Sequence, residues 1–471
     1  MTDGVPGIEN RGGSGDRSEH TRPRDASGET VDLEAAFQRA LHSGDLERAA
    51  PAAFELGRHR AAAGDAEGAL AAYQWAIDSE HPYWASAAAF AVGFQLAGQG
   101  DATAATAAYQ LAIDSGHPEH APMAALNLGN LRAEQGDADA AEAAYRVAIE
   151  SEHEQSILIA LLQLGGLRAG RGNAAGAEVA YRIAVASGHP EVIPTAAINL
   201  ALTREALGDA EGAAEAYQIV IATDHPELSP IAEFNMASLL EKQGDLAGAA
   251  TACQAAIDSG DPDLVAKALV KIGQLREKSG DFERATESYR SAIDTEDTEA
   301  APHAAINMAK LHEKDGDFAD ATAFYQSAID SGHPEYAPEA ANSLGMLRAG
   351  LGDVEGATTA YQFALDSGHP DHAPGAALRF GILWAGQGEV DRAAAAFQEA
   401  VDSGNAESGP AAEFGLGTLW AEHGDIPAAQ AAFRRAIESG HPVWAPKALE
   451  SSQGTAPPSR RRHIFRSRRG R

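Results

Sequence analysis

One cysteine, Cys253, serves 471 residues, so neither an internal disulfide framework nor a cysteine-based zinc cluster is available. No uninterrupted apolar run reaches the roughly 18 residues needed to cross a membrane. The opening MTDGVPGIENRGG also lacks the basic-then-apolar order of a secretory signal, so the expected location is cytoplasmic with no membrane partner. Positive charge is scarce: 36 Lys and Arg face 68 Asp and Glu, for a net charge of −32. Without the seven arginines of the last dozen residues the figure is −39. Such a chain either repels nucleic acid and acidic surfaces while attracting basic segments, or spreads its acid over solvated faces for solubility. Walker and dinucleotide fingerprints and nucleophile-elbow serines are missing as well, and no enzyme chemistry, metal or cofactor is expected.

What the chain does have is a period. Gly64, Gly100, Gly136, Gly172, Gly208, Gly244, Gly280, Gly316, Gly352, Gly388 and Gly424 follow one another at intervals of 36 residues, the signature of a stacked repeat. In the unit that starts at Ala121, Leu126, Leu128 and Leu131 fall at helical spacing. Pro122 sits in the first turn, where a missing N–H costs nothing. Gly136 supplies a left-handed stop, and Asp137 an acceptor for the N–H groups of a second helix. That second helix lines up Ala141, Tyr145 and Ala148 on one buried stripe. The Ala141 position is alanine in all eleven repeats, as expected where a larger side chain would force helices apart. The Tyr145 position is Tyr or Phe in nearly every repeat, with Cys253 as the departure; that cysteine is read as a small core residue.

Leu128-Gly129, then Gly136-Asp137, then Ala141, Tyr145 and Ala148 resemble the tetratricopeptide repeat over about nine-tenths of the chain. That family's usual unit is 34 residues, so the two extra residues are placed in the loop between repeats. The Gly-His-Pro-Glu loop is also similar to Sel-type repeats. The resemblance implies an all-α solenoid, a right-handed superhelix of about eleven helix-turn-helix hairpins with first helices lining a concave face. It implies a non-enzymatic scaffold or adaptor that holds a peptide or partner protein along that face.

The organisation is expected to run as a disordered segment over 1–30, the solenoid over 31–450, and an Arg-rich flexible tail over 451–471. Phe37 lies 27 residues before Gly64, as Tyr109 lies before Gly136, so the array opens on a second helix without its partner. It closes on a short first helix from Ala445, and both act as caps. Trp75, Trp84, Trp384, Trp420 and Trp444 all lie in the outer repeats, either as stacking platforms or as cover for end layers. The tail carries Arg460, Arg461, Arg462, Arg466, Arg468, Arg469 and Arg471 around Ile464 and Phe465. It could anchor nucleic acid, dock back onto the acidic solenoid in a self-regulated module, or be simply solvated.

Two recurring polar features stand out. Histidine fills one loop position in eight repeats, including His81, His117, His333, His369 and His441. Equivalent positions sit about 9–10 Å apart, too far to share an ion, so the column is expected to shape loops and meet helix ends. Of seven lysines, six are Lys242, Lys267, Lys271, Lys278, Lys310 and Lys314, each on or just after a first helix. By the family resemblance, Lys267, Lys271 and Asn235 match positions that grip a peptide carboxylate, while the remaining clamp positions hold Ile198 and Leu202. The candidate peptide-binding set is therefore Asn235, Lys242, Lys267, Lys271, Lys278, Asn307, Lys310 and Lys314. It is either an anion-binding patch or solvated charge beside Glu241, Glu277 and Glu313. Asn127 and Asn199 extend the asparagine column, whose amides can bond an extended backbone.

Overall fold

A computed structural model describes residues 26–454, all helix and turn. The segments 1–25 and 455–471, with the tail arginines, lie outside the described residues. The chain divides into two compact units between Ile219 and Val220. The first opens with α1 (Ala26–Ser43) and continues as hairpins: α2 (Leu46–Ala62) with α3 (Ala66–Asp78), α4 (Trp84–Gly98) with α5 (Ala102–Asp114), α6 (His120–Glu134) with α7 (Ala138–Ile149), and α8 (Glu154–Gly170) with α9 (Ala174–Ala186). The hairpin of α10 (Ile193–Ala206) and α11 (Ala210–Ala222) contains the division. The second unit pairs α12 (Leu228–Gln243) with α13 (Leu246–Asp258), α14 (Pro262–Lys278) with α15 (Phe282–Asp294), and α16 (Ala300–Asp315) with α17 (Phe318–Asp330). It goes on with α18 (Tyr336–Gly350) and α19 (Val354–Asp366), α20 (His372–Gly386) and α21 (Val390–Asp402), α22 (Ser408–Glu422) and α23 (Ile426–Glu438), and ends on α24 (Trp444–Gly454).

The hairpin turn forms as its residues dictate. Gly136 takes φ 77°, and its N–H and that of Asp137 bond back to Ala133 and Arg132 carbonyls at 2.9 Å. Asp137 Oδ1 then accepts from the N–H of Ala140 at 3.1 Å, stopping one helix and starting the next. The helical region is slightly longer than the sequence suggested: α1 starts at Ala26 and α24 runs to Gly454. Thr30 Oγ1 lies 2.9 Å from His59 Nδ1 of α2, a tie between helices that local composition does not announce.

Packing follows the columns. All eleven alanines of the Ala141 position are 0% exposed. The aromatic ring one turn further lies, in eight hairpins, over a glycine sixteen residues earlier. A Cβ added at Gly93, Gly273 or Gly345 would come within 2.5 Å of a ring carbon of Tyr109, Tyr289 or Tyr361. The same ring reaches forward to the next hairpin, as Tyr289 does in a cluster with Ala304 and Met308. Where the aromatic is replaced by Cys253, the opposing residue is Ala237, and the two share one buried cluster. Burial leaves Cys253 with no exposed surface and pushes its thiol up to about 12. A disulfide reagent at pH 8 should label the folded chain at least about a hundredfold more slowly than the urea-unfolded one. Equal rates would place that thiol at the surface.

Two of the tryptophans pack at the end helices. Trp75 meets Phe37 of α1 edge-on at 5.1 Å between ring centres, and Trp444 of α24 meets Phe414 at 5.5 Å. Within each unit, first helices of successive hairpins touch: α2, α4, α6 and α8 form one row, and α12, α14, α16, α18, α20, α22 and α24 form another. Among the described residues, no helix is long and apolar enough to cross a membrane.

Candidate functional site

Each first helix turns one face outward from its hairpin. Positions i, i+4, i+7 and i+11 share a side of an α-helix. On α14 these are Lys267, Lys271, Gln274 and Lys278, on α12 Ile231, Asn235, Ser238 and Lys242, and on α16 His303, Asn307, Lys310 and Lys314. Every candidate residue read from the sequence thus falls on this face, across three adjacent helices of the second unit.

The face is not a bare cationic patch. Glu241 carries both Lys271 and Lys278, the latter at 2.5 Å. Lys314 pairs with Glu277, Lys310 with Glu339 at 2.9 Å, and Lys267 with Glu299 at 3.3 Å. The glutamate that neutralises Lys278 or Lys314 stands 37 residues earlier, on the preceding first helix. It is not the glutamate adjoining each lysine in sequence, because adjacent helical residues diverge by about 100° whereas equivalent positions of neighbouring hairpins are a helix width apart. Burial raises the Glu241 carboxyl, but its bonds to Lys271 and Lys278 outweigh that and hold it below the usual carboxylate value. Beside the lysines, His303 stacks on Tyr336 at 4.9 Å, and burial lowers its imidazole pKa. Asn307 Nδ2 is buried without a hydrogen-bond partner.

Sequence reasoning named only the lysines and asparagines of this face and missed its apolar members. Phe94 is 67% exposed, Met346 52% and Ile382 58%, all at the i+7 position that Lys310 occupies on α16. The signal was available in the columns: packing positions repeat one residue type, whereas i+7 runs through Phe94, Asn130, Gly166, Leu202, Ser238, Gln274, Lys310, Met346, Ile382 and Thr418. A solvent-facing position that changes in every repeat is where recognition can be written without disturbing the core.

Seven of the eight loop histidines are helix caps: His153 accepts one N–H, from Ser156, and the exception is His189, whose Nδ1 is buried without a partner. Nδ1 of His81, His117, His225, His333, His369 and His441 accepts two backbone N–H groups opening the next first helix, at 3.2–3.4 Å. An accepting Nδ1 leaves the ring proton on Nε2, which in His369 meets Glu335 at 2.8 Å and in His441 meets Glu407 at 3.2 Å. That bond to His369 is the leading reason the Glu335 carboxyl sits below its ordinary value. Of three tighter groups that escaped the sequence reading, two include loop histidines, His117–Glu119–His120 and Glu335–His369–His372, and the ligand atoms of each fall within 4.8 Å of one another. Their capping histidines would have to give up both N–H bonds to offer Nε2 as a metal ligand, so the geometry favours the cap.

The description of the tetratricopeptide repeat family matches residues 95–156, 198–263, 270–337, 342–410 and 378–442. No curated protein matches the sequence. Among solved structures, the chain is similar to c5321, a protective antigen of uropathogenic Escherichia coli displaying an SLR fold, at 19% identity over 90% of this chain and 91% of that one, with a TM-score of 0.44. It is also similar to yeast Tom70, at 13% identity over 87% and 96% with a TM-score of 0.42, and to MamA, at 21% identity over 36% and 94% with a TM-score of 0.32.

Proposed function

The chain belongs to the tetratricopeptide repeat family, and we propose that it is a non-enzymatic scaffold that holds a protein partner or peptide along the outward faces of its first helices. The observation that carries this is the contrast between columns. Alanine at 0% exposure repeats eleven times inside, while the exposed i+7 position differs from hairpin to hairpin. A rigid array of that kind meets its partner preorganised, so little ordering cost falls on the scaffold.

Within the second unit, the finer assignment is a polar stretch over α12–α16. There Asn235, Asn307, Lys267 and Lys310 contact the partner, supported by exposure of 49% at the Lys267 side chain and 44% at Lys310. A partner carboxylate entering here would take over these lysines from Glu299 and Glu339. Lys242, Lys271, Lys278 and Lys314 set the charge around it.

Photo-crosslinking in the cell of origin tests the assignment. A benzoylphenylalanine placed at Phe94, Lys310 or Ile382 should give discrete protein adducts, and the same group at Gln254 or Gln398, exposed on second helices, should give none. Adducts of equal yield from both sets would remove recognition from the first-helix face.

A further inference from the structure

The hairpins nearest the C-terminus contain an apolar cleft. Between α20 and α22, with α24 at its end, a cavity of about 480 Å³ is lined by Leu378, Ile382, Phe414 and Trp444, with Glu422 among its lining residues. It opens because Gly415 stands at the i+4 position of the outward face, where other first helices carry Asn127, Asn235, Lys271, Asn307 or Arg379. The site is closely fitted, since a Cβ on Gly415 would lie 2.8 Å from the Phe397 ring. An apolar slot with a carboxylate beside it suits a large apolar side chain next to a cationic one.

We infer that this cleft binds the chain's own Ile464-Phe465-Arg466 segment. Beyond Glu450, Ile464 and Phe465 are the only large apolar residues, and seven arginines surround them without one acidic residue. The surface that receives them is acidic, with ten carboxylates against five Lys and Arg between residues 372 and 454. The distance is also met. The eleven residues from Gly454 to Phe465 span up to about 34 Å when extended. The path back along α24 to Trp444 is only about 15 Å at helical rise. Phe465 fills the slot, and Arg466 donates to Glu422 in a charge-assisted hydrogen bond. A partner segment with the same apolar-then-arginine order competes for that place. The inference stands independently of which partner the rest of the first-helix face takes.

The test is a nitroxide on Ser467→Cys in the full chain, selective because Cys253 is fully buried. In the otherwise unaltered chain, the label should tumble with the protein. Ile464→Ser with Phe465→Ser should release it to fast local motion on the nanosecond scale or below. Glu422→Arg, at an exposed side chain, should do the same while helical circular dichroism stays unchanged. Salt should mimic the release in part. Equally fast motion in all three proteins overturns the inference, as does slow motion that survives both changes, because the tail is then held elsewhere. Slow motion that is lost on dilution also overturns it, by assigning the cleft to the tail of a second copy.

Discussion

Tyr289→Ala should destabilise the second unit by about 3–5 kcal/mol, the usual cost of emptying a buried aromatic site. The ring is 0% exposed, lies over Gly273 and joins α14 and α15 to the next hairpin through Ala304 and Met308. The alanines around it, Ala285, Ala292 and Ala304, have no side chain long enough to fill the hole, and Met308 and Leu311 are already buried in the same cluster. In a solenoid each repeat leans on its neighbours, so the loss should appear locally. Amides of α14 to α17 should open about two to four orders of magnitude more often in native-state hydrogen exchange, and urea unfolding should split into separate steps. Tyr289→Phe removes only the hydroxyl that donates to Glu277 at 3.3 Å, at a cost of about 1 kcal/mol or less. If alanine and phenylalanine behaved alike, the column would not be the filler of the layer.

Lys271→Glu comes next in size. Lys271 and Glu241 are 20% and 14% exposed at their side chains, so a glutamate at 271 sets two poorly solvated carboxylates against each other while leaving Lys278 as the sole partner. A loss of about 2–3 kcal/mol is expected. Lys278→Glu touches the same Glu241, but its side chain is 59% exposed and can turn to water, which limits the loss to below about 1 kcal/mol. Thermal melts of the two variants at neutral pH make the comparison. Acid reports on the same carboxylate: a group whose folded pKa is depressed contributes stability above its unfolded value, near 4.3 for glutamate, and that contribution disappears as pH falls through the lower folded value. The Lys271→Glu chain should therefore lose less on acidification from pH 5 than the unsubstituted chain. Equal losses for both lysine variants at neutral pH would show that burial does not set the worth of these pairs.

Much of this architecture is legible in the residues alone. Gly136 and Asp137 set the turn by backbone chemistry, and the Ala141 and Tyr145 columns set the packing, because both act within one hairpin and recur at a fixed interval. The caps follow from the same register, with Phe37 placed 27 residues before Gly64. Interactions that cross from one hairpin to the next are less visible. The Glu241–Lys278 and Glu277–Lys314 pairs, the Glu335–His369 contact and the cleft beside Gly415 each join residues of different first helices or loops. Their pairing depends on how far one layer is turned against the next, which no stretch of 36 residues states. The apolar members of the outward face went unread for a different reason. Phe94, Met346 and Ile382 look like core residues until the column is followed to Lys310, whose charge shows that the position is open to water.

The alanine column and the outward face divide the chain into two alphabets. One is fixed at methyl size by steric contact, and the other is free at four positions per hairpin. A change in the second alphabet alters what the array can hold while leaving the folding energy nearly untouched, so specificity can drift or be redesigned one hairpin at a time. The exception is α14, where Lys271 belongs to both alphabets through Glu241. There a new recognition letter carries a cost in stability, and adaptation of the solenoid should be slowest at that helix.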